Sequence, residues 1–341
     1  GTLDEVQDYF RDNSWTDGRP IIPPTLERVE EFLKFSDRSD REVLGTLPPN
    51  NSETTIWNIA VNGVIAGCRP EYMPILIAVV EAISDPEFRL QDAGSTPGWE
   101  PLVILNGPLI KQLDFNYGTG VMRIGRQANS SIGRFLRLYM RNVAGLRIPP
   151  GATDKGTIAF NFNVVLPENE DVVSEIGWVP FSVERGFKPG ENVVTVQSVV
   201  STTPPIYTGG ANANDHVEVL GEILGQSCGY WTQIAVRFAK FFPLLVLGPS
   251  VARVLAEGGW TKAKVKKYLY ENVTIRASLL EKYARMSSNA KIDFVKLAEE
   301  GVISRDYVRS SDPDRPVPVF LRPDWIGIVV AGDPGRNQSK G

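Results

Sequence analysis

The chain has 341 residues, is 42% hydrophobic and 22% charged, and carries a net charge of −4. This length suits two domains of ordinary size or one large α/β domain, and the composition is typical of a globular protein. The acidic balance argues against a nucleic-acid-binding protein, and no apolar run approaches the ~20 residues of a membrane-spanning helix, so no membrane role is expected.

Apolar periodicity, proline punctuation and capping residues predict the elements in chain order. In the first part of the chain, helices are predicted over 2–12, 26–33, 53–66, 70–84 and 130–144, and strands over 42–46, 101–107, 157–166 and 193–200. In the second part, helices are predicted over 216–228, 249–257, 261–272 and 276–286, with a buried strand over 244–247 and a last strand in the run WIGIVV.

A short near-repeat suggests how these elements are organised. Residues 101–113 read PLVILNGPLIKQL and residues 243–255 read PLLVLGPSVARVL, each an apolar run followed by Gly-Pro and a helical pattern. Proline suits the first turn of a helix, and runs that are apolar on both faces suit buried parallel strands. We therefore expect an α/β fold with a mostly parallel sheet and two pseudo-equivalent strand–Gly-Pro–helix halves. We expect an approximate boundary near residue 200, which gives an N-terminal half 1–200 and a C-terminal half 201–341. The alternative is one continuous domain.

Cysteine and histidine are scarce in this chain. Cys68 and Cys228 are the two cysteines, too few for a disulfide framework, which favours a cytoplasmic protein with free thiols. His216 is the one histidine, which excludes a multi-histidine metal site within the chain and disfavours a Cys/His zinc site. No metal ligand set is assigned, no cofactor is identified, and a hard-cation site built from carboxylates stays open.

Cys68 is the leading candidate for a reactive group. It lies at a predicted helix-to-helix junction beside Arg69, and a helix N-terminus or a nearby cation lowers a thiol pKa. Glu71 and Tyr72 follow within one turn and could assist proton transfer. The competing interpretation is that Cys68 is a small buried apolar residue at a helix end.

Polar groups that could hold a substrate occur in three loops and at one helix start. Trp15 and Asp17 lie in a loop stiffened by prolines, Asn106 precedes the first Gly-Pro, and Arg126 and Asn129 precede a predicted helix. His216 lies near another helix start, and histidine is the side-chain type whose ordinary pKa is nearest to neutrality. The structural alternatives are that Trp15 anchors its loop, that the glycine-rich stretch before residue 126 is solvated, and that the lone histidine is a capping residue.

Charged residues flank the middle strands and one later helix. Glu168, Glu170, Glu184 and Arg185 could act in acid–base chemistry or bind a cation, or could belong to solvated turns. The lysines of the helix 261–272 alternate with apolar residues, which predicts a solvated face. These are Lys262, Lys264, Lys266 and Lys267.

Eight short motifs together resemble an uncharacterised bacterial family. The matching segments are 15–25 (WTDGRPIIPPT), 45–49 (GTLPP), 66–72 (AGCRPEY), 106–108 (NGP), 126–134 (RQANSSIGR), 168–170 (ENE), 184–186 (ERG) and 259–262 (GWTK). Members of that family are associated with small (seleno)proteins bearing a UGSC-type motif, which implies a two-component system with a small redox-protein partner. Where the family has a glycine turn followed by His-Ser, this chain has Asn337, which removes any histidine-dependent role there.

Together these observations favour an enzyme acting on a small polar, anionic organic molecule. Cys68 would be its nucleophilic or redox thiol, Glu71, Tyr72 and Glu184 its proton-transfer groups, and the substrate-binding set Trp15, Asp17, Asn106, Arg126, Asn129, Arg185 and His216. One alternative is a carboxylate- or metal-assisted lyase or hydrolase using Glu168, Glu170 or Glu184. Another is a non-catalytic subunit of a two-component redox system. A homo-oligomer is expected because such enzymes commonly form one.

Overall fold

A computed structural model of the chain describes residues 1–148, 154, 156, 158, 162–238 and 241–341. The helices are α1 Leu3–Asp12, α2 Leu26–Leu33, α3 Ile56–Ala66, α4 Met73–Ser84, α5 Leu109–Gln112, α6 Gln127–Tyr139, α7 Glu170–Glu175, α8 Phe181–Glu184, α9 Ala213–Cys228, α10 Thr232–Phe238, α11 Pro249–Glu257, α12 Lys262–Asn272, α13 Ala277–Ser288 and α14 Phe294–Glu299. The strands are β1 Val43–Leu47, β2 Ser52–Thr55, β3 Glu100–Asn106, β4 Val165–Pro167, β5 Val193–Val199, β6 Ile206–Tyr207, β7 Leu244–Leu247, β8 Thr274–Arg276, β9 Pro316–Pro318, β10 Gly327–Val330 and β11 Gln338–Lys340. A mixed α/β protein is thus confirmed.

Threonine side chains begin several of these helices. Thr2 caps α1 in a reciprocal arrangement with Glu5, and Thr25, Thr55 and Thr261 each accept a hydrogen bond from a backbone N–H in the first turn. Such caps satisfy N–H groups that a helix leaves without a partner. The starts of α2 and α12 follow the sequence signals closely, whereas α3 begins three residues later than predicted because residues 52–55 form β2.

The chain packs into two units. The first comprises residues 1–168 and 185–201, and the second residues 169–184 and 202–341. Residues 169–184 therefore pack with the second unit and not with their chain neighbours on either side. The domain bounds expected from the sequence remain a prediction.

In the first unit, β3 is the centre of a three-stranded sheet. It pairs in parallel with β4, with Val103 opposite Val165, and antiparallel with β5, with Val103 opposite Val196. All seven residues of β3 are buried, as its unbroken apolar run predicts. Of the strand predicted over 157–166, residues 157 and 159–161 lie outside the described residues.

In the second unit, β7 is an inner strand, as β3 is in the first. Its four-stranded sheet has the order β10-β7-β11-β6. Strand β7 pairs in parallel with β10 and antiparallel with β11. Both larger sheets are therefore of mixed orientation, and a mostly parallel sheet is not confirmed. The reason is that β5 and β11 each return along the free edge of a central strand in the opposite direction, which a local apolar pattern does not reveal.

Helix α6 lies unusually close to the first sheet. A Cβ atom on Gly133 would lie 2.3 Å from the backbone nitrogen of Val164, so only glycine fits at this contact. Nearer the start of α6, the Asn129 side chain donates to the Val165 carbonyl over 3.1 Å. The helix thus runs antiparallel to β4, and its N-terminus lies toward the carboxyl ends of β3 and β4.

Among the described residues, no helix combines the length and apolar character needed to cross a membrane. A cytoplasmic location, suggested by cysteine usage, remains a prediction.

Candidate functional site

The carboxyl ends of β3 and β4 carry a buried polar pair. The Asn106 amide donates to Glu168 Oε2 over 2.8 Å, and both residues are almost fully buried. The next residue, Gly107, has φ +101°, and a Cβ there would lie 2.4 Å from the Glu191 carbonyl oxygen. Asn106 is thus held by Glu168 and is not presented to solvent, which counts against direct substrate contact in this conformation.

The start of α6 carries two of the predicted substrate-binding residues in different environments. Asn129 is buried, its Nδ2 donates to the carbonyls of Asn116 and Val165, and its Oδ1 accepts from the Asn116 N–H. Its amide is therefore occupied in fixing the loop before α6. Arg126 is exposed and forms an ion pair with the exposed Asp114. It is the more accessible of the two residues predicted here.

Cys68 is a buried residue directly after the C-terminal end of α3. Its N–H donates to the Gly63 carbonyl in the manner of a helix C-terminus, following Gly67 with φ +78°. Cys68 therefore lies at the negative end of α3, in the junction before the 3₁₀ turn Pro70–Tyr72. Burial raises the pKa of its thiol to about 12, against smaller lowering effects of the nearby Ser131 side chain and the charge of Arg134.

Alkylation of the two cysteines should therefore be slow until the protein unfolds. Burial raises the pKa of Cys228 to about 11 as well, so neither thiol supplies much thiolate at pH 8. We expect iodoacetamide at pH 8 to modify both residues slowly in the native protein and rapidly in guanidinium chloride, measured by peptide mass spectrometry. Rapid modification of native Cys68 would restore the thiol hypothesis.

The two side chains predicted to assist Cys68 have other partners in the structure. Arg69 forms an ion pair with Glu71 over 2.8 Å, and this hydrogen bond holds the pKa of Glu71 below its usual value. Tyr72 is buried against Phe115, and burial raises its pKa. A phenol and a carboxylate held in these states are poor partners for proton transfer to a thiol.

The loop that contains Trp15 and Asp17 is fixed to the end of α6. Arg134 donates to both oxygens of Asp17, over 3.0 and 2.8 Å, and also to the Pro20 carbonyl. Burial alone would raise the pKa of Asp17, but hydrogen bonding and charge attraction from Arg134 lower it below its ordinary value. Trp15 packs edge-on against Tyr9. Both predicted substrate-binding residues thus have structural partners in the first unit.

His216 is buried inside the second unit. Its Nε2 lies 2.9 Å from the Gly210 carbonyl and its Nδ1 lies 2.6 Å from Thr208 Oγ1. A carbonyl can only accept, so Nε2 carries a proton, and in the neutral ring Nδ1 accepts from the threonine hydroxyl. Both nitrogens are thereby used to fix the loop 208–210, which argues against substrate binding by His216. The Asn337 carbonyl accepts from the Thr208 N–H of the same loop.

In the second unit, a glutamate carboxylate lies close to two lysine ammonium groups. Glu184, at the end of α8, places Oε1 2.8 Å from Lys266 Nζ and Oε2 3.7 Å from Lys262 Nζ. Glu184 Oε2 is itself buried and accepts no hydrogen bond among the described residues. The Trp178 indole donates to the Trp260 carbonyl, which fixes the start of α12 beside this segment. We call Glu184, Lys262 and Lys266 the Glu–Lys cluster.

The solvated lysine face predicted for α12 is only partly correct. Lys267 is 70% exposed, whereas the side chain of Lys262 is 2% exposed. The signal was present in the sequence, because Lys262 precedes the buried Val265 and Leu269 by three and seven residues. That spacing places it on the apolar side of the helix. The exposed Arg185 directly follows Glu184 in the chain.

A second carboxylate, which the sequence analysis did not single out, lies at the start of β3. Glu100 is buried, with Oε1 3.2 Å from Arg137, and Arg137 also pairs with Asp154 over 3.1 Å. Burial raises the pKa of Glu100 to about 7, although Arg137 opposes the rise. Glu100 therefore changes charge near neutral pH.

This raised pKa predicts an unusual pH dependence of stability. Between pH 4.5 and about 7 the folded state holds the Glu100 proton more tightly than the unfolded state, so the free energy of unfolding falls as pH rises through this window. Glu100→Gln should remove that contribution, leaving the variant about as stable as the parent at pH 5 and up to about 3 kcal/mol more stable at pH 8. Chemical denaturation of both proteins across pH 5–8 measures the difference. A Glu100→Gln variant less stable than the parent at pH 8 would contradict this assignment.

No three His, Cys, Asp or Glu side chains in the described part of the chain are grouped to hold a metal ion. Comparisons with protein-family models, with curated proteins and with solved structures found no match to this chain. The geometry therefore defines an α/β protein with a Glu–Lys cluster, and the family resemblance remains a prediction based on its motifs.

Proposed function

We propose that the chain is an enzyme that removes a proton from a small, anionic organic molecule at the Glu–Lys cluster. The observation that carries this proposal is the buried Oε2 of Glu184, which accepts no hydrogen bond among the described residues and lies 3.7 Å from Lys262 Nζ. A carboxylate oxygen in this state is suited to accept a proton, and adjacent ammonium groups suit a developing negative charge. This is the carboxylate-assisted alternative, and it assigns no step to Cys68.

The substrate class follows from the charges. An acid with a proton on the carbon next to its carboxylate would place that carboxylate toward the lysines and the proton toward Glu184. Proton transfer gives a neutral Glu184 and an enolate, whose charge the Lys262 and Lys266 ammonium groups stabilise. Return of the proton to either face, or loss of a neighbouring group, then gives an isomerase or a lyase. Lys262 and Glu184 Oε2 are buried, whereas Glu184 and Lys266 are 16% and 13% exposed, so a small molecule would approach the cluster past the exposed part of these two side chains.

The experiment measures deuterium incorporation from D₂O into a panel of 2-hydroxy acids, followed by proton NMR. We expect exchange at the carbon next to the carboxylate for at least one acid. Lys262→Met should slow it by about 100-fold or more, the usual cost of losing one group that stabilises an oxyanion. Lys267→Met, the same change on the exposed side of α12, should leave it unchanged. Equal rates in the two variants, or no enzyme-dependent exchange in the panel, would overturn the proposal.

A non-catalytic subunit remains a second candidate because of exposed apolar side chains on the first two helices. On α1 and α2, Leu3, Tyr9 and Leu26 are 61%, 57% and 61% exposed, and α1 contains no buried residue. Exposed apolar side chains of this kind suit a small redox-protein partner or a second copy of the chain. Co-purification and light scattering, with Leu3→Ser/Leu26→Ser as the comparison, test this. An unchanged monomer in both would remove this candidate.

The two halves are also part of the proposal. In each unit a central strand leads into Gly-Pro, pairs in parallel with a later strand and antiparallel with a still later one. Gly248 repeats the close approach of Gly107, because its Cβ would lie 2.5 Å from the Gln338 carbonyl oxygen. This matched order supports pseudo-equivalent halves.

A further inference from the structure

Three arginines lie along one side of the α6 helix. Arg134, Arg137 and Arg141 are spaced i, i+3 and i+7, which places them on one face, and we call this set the arginine face. Arg141 lies where α6 continues into a π-helical turn, Met140–Ala144. Such turns within helices are frequent at functional sites.

The three arginine side chains differ in their ion-pair and hydrogen-bond partners. Arg134 is held by both oxygens of Asp17, and Arg137 pairs with Glu100 and Asp154. Arg141 is half-buried, and within the described residues its single hydrogen bond runs from Nε to the Ser14 carbonyl over 2.7 Å. A guanidinium has five N–H donors, so four of those on Arg141 have no protein acceptor there.

The surrounding charge is positive. Burial, and then repulsion from Arg137 and Arg147, lower the pKa of Arg141, and attraction to Asp17 only partly opposes them. Asp154 is the only acidic residue between Arg141 and Glu168 in the sequence, and Arg137 already uses it. Glu100 is only partly ionised near neutral pH. The acidic side chains near the arginine face therefore do not balance its charge.

We propose that the arginine face binds a small dianion, a phosphate-like oxyanion or a dicarboxylate, with Arg141 as its principal contact. The planar guanidinium presents paired N–H donors that match such oxygens in geometry and charge. The site lies at the Glu100 end of β3, about 20 Å from Asn106 at the other end of this seven-residue strand. It belongs to the first unit, whereas the Glu–Lys cluster belongs to the second, so it is a separate site and does not depend on the proposed function.

The test is calorimetric titration of the full chain with sulfate, inorganic phosphate and malonate, with sodium chloride keeping the ionic strength constant. We expect saturable binding of one dianion per chain. Arg141→Gln should weaken it about tenfold or more, because hydrogen bonds to charged groups are lost. Arg123→Gln, an exposed arginine of the loop before α6, should leave it unchanged. Tighter sulfate and phosphate would identify an oxyanion site, and tighter malonate a dicarboxylate site.

Absence of saturable binding by all three dianions would overturn the proposal. Equal weakening in the Arg141→Gln and Arg123→Gln variants would also overturn it, because that result indicates a general charge effect. If Arg141→Gln fails to fold, as judged by circular dichroism, Arg141→Lys replaces it. That variant keeps the charge but loses the paired donors, so it should still bind more weakly than the parent, and unchanged affinity would refute the assignment.

Discussion

Replacing Glu184 by glutamine is expected to lower the rate of α-proton exchange by about 10²- to 10⁴-fold, the usual contribution of a positioned acid–base group. Glutamine keeps the shape of the side chain but cannot accept the substrate proton. Because the base acts during the reaction and does not itself hold the substrate, kcat should fall while KM stays within a few-fold. Deuterium incorporation at several substrate concentrations separates the two constants.

Two further variants distinguish chemistry from stability. Glu184→Gln also removes a charge that lies 2.8 Å from Lys266, so circular dichroism and denaturation must first show that it is folded. Glu184→Asp retains a carboxylate on a shorter side chain and should recover part of the lost rate. If the aspartate and glutamine variants were equally slow while both were folded, Glu184 would be a structural partner of the lysines and not the base.

Asp17→Asn is expected to cost the first unit about 3–5 kcal/mol in free energy of unfolding. The Asp17 and Arg134 side chains are each 14% exposed, so removing the carboxylate leaves a largely buried guanidinium without its charged partner. Because the pKa of Asp17 is lowered in the folded state, this stabilisation is present at neutral pH and is lost as pH falls below about 4. Chemical denaturation at pH 7 and at pH 3.5 measures both parts.

The chain offers a matched control for this measurement. Asp114 pairs with Arg126 at the other end of the same helix, but their side chains are 75% and 57% exposed. Asp114→Asn should therefore change the free energy of unfolding by less than about 1 kcal/mol. A similar loss in the two variants would show that burial of the Asp17–Arg134 pair has no special role.

Local signals predicted the elements well where glycine and proline mark their ends. Strand β7 over 244–247 and helix α11 over 249–257 coincide with their predicted bounds, because Gly248-Pro249 ends one and begins the other. Pairing directions could not be read in this way. The strands that pair with β3 lie far from it in the chain, so their positions depend on tertiary packing. An apolar run is compatible with either a parallel or an antiparallel partner.

The candidate site shows the same limit. The sequence favoured Cys68 as a reactive thiol because it has a charged neighbour and lies at a helix junction. In the structure α3 ends in a cap at Gly67, and the thiol that follows is buried. The sequence also pointed to Glu184, yet gave no reason to connect it with Lys262, which is 78 positions later. The sequence alone does not distinguish Arg141. Its i, i+7 spacing from Arg134 becomes informative only when the helix and its packing are known.

Residues 169–184 pack in the second unit, although the chain on both sides of them packs in the first. This arrangement has a consequence for biosynthesis. Strand β3 leaves the ribosome long before β5, and the intervening chain includes a segment that packs elsewhere. Until Val193–Val199 has emerged, one edge of a wholly buried strand has no pairing partner, and such edges recruit other chains. A nascent chain whose emerged part ends within 169–192 is therefore prone to aggregation, and chaperone capture should be greatest over that interval.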